Sequence, residues 1–148
     1  MEVFVKVSKE RVYDEVAKLT SYIGSKIVID GQPLYNKVFT TPEDAELLDR
    51  FWIASVEELV DTTRHFFSLR FEEADGIACI VVDLPKDFDL NKERSLSTKA
   101  EEFCINRILT EWLTISVPDQ VELYATKAQS ALAIFKSALH SRRIPQRI

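Results

Sequence analysis

The sequence predicts an α+β fold, mainly α: a bundle of about four helices with a β-hairpin and a short N-terminal strand. Three observations predict it. Apolar residues recur at three- and four-residue spacing in four separate segments. The period falls to two in "EVFVKV" at the N-terminus. In "SLRFEEADGIACIVVDLP", β-prone runs flank Asp75-Gly76, the residue pair of a tight hairpin turn.

In chain order, Val3, Val5 and Val7 fall on one side of the first strand and Glu2, Phe4 and Lys6 on the other. The β-branched run favours a strand over a helix beginning near Glu2. Ser8 is placed to cap the first helix. Val12, Val16, Leu19 and Ile23 form its apolar stripe, and Gly24 is a natural C-terminal stop. Asp30-Gly31 and Pro33 break the chain, with 27–29 either a short strand or a loop anchor. "TTPEDAELLDRFW" announces the second helix, with Thr41 as N-cap, Pro42 at the first position, and Glu43 and Asp44 beside the positive helix end. Its face, from Leu47 and Leu48 through Phe51, Trp52, Ser55, Val56, Leu59, Val60 and Thr63 to Phe66, predicts a helix to about Phe67, over roughly six turns.

Hairpin strands are predicted over 67–72 and 77–84, and Pro85 ends the second. A third major helix starts near Leu96. Ala100, Phe103, Cys104, Arg107, Ile108, Glu111, Trp112 and Ile115 form its inner face and edges. Pro118-Asp119 restarts the chain. The last helix carries Val121, Tyr124, Ala128, Ala131, Leu132, Phe135 and Leu139 on one stripe, and Pro145 stops it. The organisation is one domain over 1–141, with the hairpin near 67–84, and a basic tail over 142–148. The expected core is Leu48, Phe51, Trp52, Leu59, Phe66, Phe103, Ile108, Trp112, Leu132 and Phe135.

A chain of 148 residues with 46% hydrophobic and 29% charged residues can bury a core without disulfides or metals. Its net charge of −5 argues against bulk nucleic-acid binding. The N-terminus has no basic segment followed by an apolar run, and no stretch approaches the roughly 20 apolar residues of a membrane span. A cytoplasmic protein on synthesis, without membrane partners, is expected.

The chain's three glycines, Gly24, Gly31 and Gly76, are dispersed, which excludes a phosphate-cradling loop. The only histidines, His65 and His140, are far apart in sequence, and no Cys or His stands at ligand spacing to Cys79 or Cys104. Both cysteines read as small buried hydrophobes. Asp61 and His65, four apart on the second helix, read as an exposed charge pair. The paired acids Glu57–Glu58, Glu72–Glu73, Asp87–Asp89 and Glu101–Glu102 read as solvated faces. No metal, nucleotide or other cofactor is expected, and no catalytic residue.

In layout, "FTTPEDAELLDRFW", "AEEFCINRILTEWL" and "ALHSRRIPQR" resemble small structural proteins of tailed phages and prophages. They are most similar to the helical head-to-tail connector, or adaptor, class. The shared features are the order helix, long capped helix, hairpin, two helices and an Arg/Pro tail. The resemblance implies a non-enzymatic assembly protein, a homo-oligomer with other phage structural proteins as partners, and a place in the virion. It carries no catalytic residues to this chain.

The charge split adds a candidate docking element. Four Lys/Arg and no Asp/Glu lie from Lys136 onward, while fifteen basic residues stand against 24 acidic ones before it. Arg142, Arg143 and Arg147 are therefore candidates for docking on an acidic face of a neighbouring copy, or for complementing the negative helix end. A nucleic-acid arm is disfavoured, since four cations release few counterions. The alternative function is a small-molecule or peptide binder, or an enzyme with a dispersed site, built around Arg64, Arg70, Arg107 or Glu111.

Overall fold

The computed structural model describes residues 1–26, 28–29, 32–33, 40–64 and 70–142. Strand β1 (Glu2–Ser8) leads directly into helix α1 (Lys9–Lys26). A two-residue antiparallel pair, β2 (Val28–Ile29) and β3 (Gln32–Pro33), follows. Then come α2 (Ala45–Thr62), the hairpin β4 (Arg70–Ala74) and β5 (Ile77–Asp83), and the helices α3 (Glu93–Ser116) and α4 (Val121–Leu139). Among the described residues, four helices and a small antiparallel sheet make the predicted α+β fold.

The N-terminal strand is not an isolated extra. It pairs antiparallel with β5 along its whole length, Glu2 opposite Asp83 through Ser8 opposite Ile77, and gives a sheet of order β1-β5-β4. Asp75 and Gly76 form the hairpin turn with φ of 54° and 74°. Two successive positive φ values define the turn whose twist matches its flanking strands, which explains the Asp-Gly pair. Val3, Val5 and Val7 face inward with Ala78, Ile80 and Val82, their register partners. Each fully buried valine contributes about 1.5–3 kcal/mol.

The register fixes where the backbone polar groups point. A two-residue turn closes on a hydrogen-bonded pair, Ala74 with Ile77. Alternation then directs the N–H and C=O groups of Phe71 and Glu73 away from β5. On the other side it directs those of Phe4 and Lys6 away from β5. There the Lys6 N–H donates to Ser97 Oγ of α3 at 3.2 Å, so α3 covers the β1 edge.

Helix α3 is the hub and touches α1, α2, α4 and β1. Its buried residues swing around the helix. At about 100° per residue, Leu96, Ala100, Phe103 and Cys104 share one side, while Leu109, Trp112 and Leu113 lie round the back. The first half packs towards β1 and α1, and the second half buries a different side. Ile115, expected on the inner face, is 63% exposed because the buried side has turned away by the final turn. Helix α4 returns antiparallel to α3 and buries Tyr124, Ala128, Ala131, Leu132, Phe135 and Leu139 on the expected stripe.

Several boundaries differ from expectation. Helix α1 continues past Gly24, which is buried inside its last turn, to Lys26. Helix α2 spans 18 residues and ends at Thr62, short of Phe67. Thr62 and Thr63 turn their hydroxyls onto Glu58 O and Val60 O, and the Thr63 N–H closes on Val60 O, ending the helix in a tight turn. At its start, a 3₁₀ turn over Pro42–Asp44 precedes the helix. Capping there runs opposite to expectation. Thr41 donates its N–H and hydroxyl to Asp44 Oδ2, at 2.8 and 3.1 Å. Helix α3 begins at Glu93, three residues before Leu96, after Asp89 accepts from the Asn91 N–H. Of the expected core, Phe51 is only half-buried, and Phe66 lies outside the described residues, as do residues 67–69 of the first hairpin strand.

Candidate functional site

A polar cluster forms where β1, α1, α2 and the hairpin meet. The joint between β1 and α1 is abrupt. Ser8 ends the strand and its Oγ accepts from the Arg11 N–H at 3.4 Å, the expected cap. The Lys9 N–H donates to Gly76 O at 2.8 Å, which fixes the hairpin turn over the first turn of α1. A Cβ at position 76 would stand 4.0 Å from Lys9 Cβ, an ordinary contact, so the positive φ and not lack of space requires glycine.

One turn into α1, the Tyr13 hydroxyl donates to Asp49 Oδ1 of α2. Lys9 Nζ reaches the same oxygen at 2.8 Å and lies 5.5 Å from the Tyr13 ring centroid. Three residues after Asp49, Trp52 is 1% exposed and donates its Nε1–H to Glu73 Oε1 of β4 at 3.0 Å. Three elements, α1, α2 and β4, are thus stitched by side chains whose spacing on each helix, 9 with 13 and 49 with 52, puts them on one face.

Electrostatics favour one protonation state for each of the cluster's two acids, Tyr13 and Asp49. Burial, then the hydrogen bond and negative charge of Asp49 and the charge of Glu73, push the Tyr13 phenol far above its usual range. Hydrogen bonds from Lys9 and then Tyr13 hold the Asp49 carboxyl below the usual range, against some desolvation. At neutral pH the phenol stays protonated and the carboxylate ionised, so neither is poised to exchange a proton. A small cavity of about 220 Å³ opens beside Tyr13, lined by Ala17, Thr40, Thr41, Ala45 and Leu48. The buried Thr20 hydroxyl borders this region. It donates to Val16 O and accepts from the Thr40 N–H at 3.1 Å, tying the incoming chain to α1.

The residues expected of a dispersed site are placed as follows. Arg107 Nε pairs with Glu58 Oε2 at 3.1 Å, and its Nη1 pairs with Glu111. Burial disfavours its charge, but hydrogen bonds to Glu111 and Glu58 outweigh burial and raise its pKa. Arg64 stands at the exposed end of α2 and pairs with Asp61 at 2.8 Å. The expected pairing of Asp61 with His65 involves a residue outside the described residues. The side chain of Arg70 also lies outside the described residues. An open groove of about 390 Å³ between α1 and α3 carries Arg11, Asp14, Lys18, Glu101 and Glu102. Arg11 is paired with Glu101 at 3.2 Å.

Of the candidate docking arginines, Arg142 is described and is engaged with its own chain. It forms a β-bridge with Phe88, its Nε lies 3.4 Å from Asp87 Oδ1, and its Nη1 donates to Ser141 O and Leu139 O at 3.0 and 3.4 Å. Through its bond to Leu139 O, the Arg142 guanidinium stands beside the negative end of α4. Arg143 and Arg147 lie outside the described residues.

Cys104 is sealed in the core, and burial pushes its thiol far above its usual range. Among the described residues no three His, Cys, Asp or Glu are grouped to hold a metal ion. No helix among them is long and apolar enough to cross a membrane. Comparison with protein-family models, curated proteins and solved structures finds no match.

Proposed function

We propose that this chain is a non-enzymatic assembly protein that acts by packing copies of itself, and further partners, into an oligomer. One observation carries the reading. Three large apolar side chains, Phe4, Phe71 and Ile77, stand 43%, 41% and 42% exposed on one three-stranded sheet. Phe4 and Ile77 lie on the sheet face opposite the core, with buried Val81 and half-buried Cys79 between them, while Phe71, the register partner of Ile80, lies on the other face at the β4 edge. A solvated antiparallel face ordinarily carries polar residues, as Glu2, Lys6 and Asp83 do here, so the exposed Phe4 and Ile77 among them support a covering partner.

The polar groups support the same reading from the other direction. The Lys9–Tyr13–Asp49 and Glu58–Arg107–Glu111 clusters are internally paired across elements. Such pairing holds a scaffold in shape. The order of elements is the one that resembles the tailed-phage connector class. A role as a virion or assembly component of that kind is the specific form of the proposal. The test is the mass of the purified protein by light scattering across a concentration series. A concentration-independent multiple of the monomer, or a reversible rise in mass, is expected. A single copy at every concentration overturns the oligomer reading.

A further inference from the structure

Resting on the oligomer reading above, we propose that the β4 edge pairs antiparallel with the β4 edge of a second copy, centred on Phe71, so that two three-stranded sheets join into one. Four observations lead there. Strand β4 is the outer strand of the sheet. Phe71, Glu72, Glu73 and Ala74 are all exposed. The register directs the N–H and C=O of Phe71 and Glu73 outward. No backbone partner takes these groups among the described residues. The opposite edge provides the contrast, because Ser97 takes its outward Lys6 N–H.

The identity of the partner follows from the strand's own sequence, Arg70-Phe71-Glu72-Glu73-Ala74. Two copies related by a two-fold axis pair residue by residue in reverse order. Only registers that match outward-pointing groups with outward-pointing groups are allowed. Those registers are centred on Phe71, Glu72 or Glu73. Centring on Glu72 or Glu73 sets that glutamate directly opposite its own copy, and like charges there repel. Centring on Phe71 sets Phe71 against Phe71 and position 70 of each copy against Glu72 of the other, an arginine against a glutamate twice over. Glu73 is also already engaged, since its Oε1 accepts from Trp52. The self-complementary register is thus the one free of like-charge contacts. Charged residues on an edge strand can equally serve to block pairing, and the experiment separates these two roles.

Light scattering of the full-length wild type is compared with R70E, E72R and the double variant R70E/E72R. Each single reversal places like charges opposite one another at both crossing points. Each is expected to raise the dimer dissociation constant by about tenfold or more. The double variant restores opposite charges and is expected to return within about threefold of wild type. A parallel measurement needs no variant. In the wild type, hydrogen exchange at the Phe71 amide should slow as protein concentration rises.

A wild type that stays a single copy, with this amide unprotected at every concentration, overturns both the pairing and the oligomer reading. A wild type that assembles while the single reversals leave the dissociation constant unchanged, or while this amide stays unprotected, overturns the edge pairing alone. Assembly then runs through another face. Loss on single reversal, return in the double variant and concentration-dependent protection support the pairing.

Discussion

The two edges of the sheet are built from similar material and end differently. At the β1 edge, a helix crosses the strand and a serine hydroxyl accepts the outward Lys6 N–H at 3.2 Å. At the β4 edge, four successive residues are exposed, and charges stand where the other edge has a covering helix. An edge strand must be covered, charged or paired to avoid indiscriminate association. This molecule uses cover on one side and charge on the other. The covered edge packs against a helix of the core, and the charged edge is exposed.

That contrast breaks most visibly under truncation. Val5 is fully buried opposite Ile80. Val5→Ala removes two methyl-sized groups at about 0.8 kcal/mol each and leaves a cavity, so a loss of about 2–3 kcal/mol is expected. Phe71→Ala on the open edge should cost less, below about 1.5 kcal/mol, because much of that ring is already wet. Urea denaturation at low protein concentration measures both, and equal costs would erase the distinction between the edges.

One indole ties the hairpin to α2. Trp52→Phe keeps most of the packing and removes the Nε1–H donor to Glu73. Glu73 is exposed and regains water, so a loss of about 0.5–1.5 kcal/mol is expected. No change in denaturation midpoint would show that the bond contributes nothing. Ser97→Ala sharpens the comparison from the covered side. It should cost about 0.5–1 kcal/mol and speed hydrogen exchange at the Lys6 amide, with the Phe71 amide unaffected.

The smallest effect is electrostatic. The Asp49 carboxyl has a lower pKa folded than unfolded, because Lys9 and Tyr13 favour its ionised form. Its contribution is therefore complete above the ordinary aspartate pKa of about 3.9. It is lost as pH falls through the lower folded value. Asp49→Asn should flatten the acid limb of stability below about pH 4, leaving the profile's shape near neutrality alone. An unchanged acid limb would show that the cluster does not couple to folding.

Much of this was legible in the sequence. Val3, Val5 and Val7 read as a strand face and Asp75-Gly76 as a hairpin turn, because both signals lie within a few residues. The α4 stripe was legible for the same reason. The end of α2 was not. Thr63 and Phe66 continue its apolar period, and the hydroxyl contacts that stop it depend on tertiary setting. The swing of the buried side along α3 was hidden because a helix packed on several flanks has no single stripe. The pairing of β1 with β5, the Tyr13–Asp49 and Trp52–Glu73 bonds, and the Arg142 contact with Asp87 join distant residues. Nothing in local spacing announces them. The i,i+4 placement of Lys9 and Tyr13 was the one available hint.

The pairing of β1 with β5 also carries a kinetic consequence. The hairpin closes over two residues and the α3–α4 pair over a short turn, but Ser8 meets Ile77 only after a loop of about 70 residues has closed. Local units should form early and β1 should dock late. Substitutions at Val3 or Val5 are then expected to speed unfolding and barely slow folding, whereas those at Phe103 or Leu132 slow folding. Until β1 arrives, β5 offers the apolar edge of Ile77, Ile80, Val81 and Val82 to any passing chain. Refolding yield should therefore fall with protein concentration, and more steeply in β1 variants, making the first seven residues after Met1 the guard of the most exposed moment in folding.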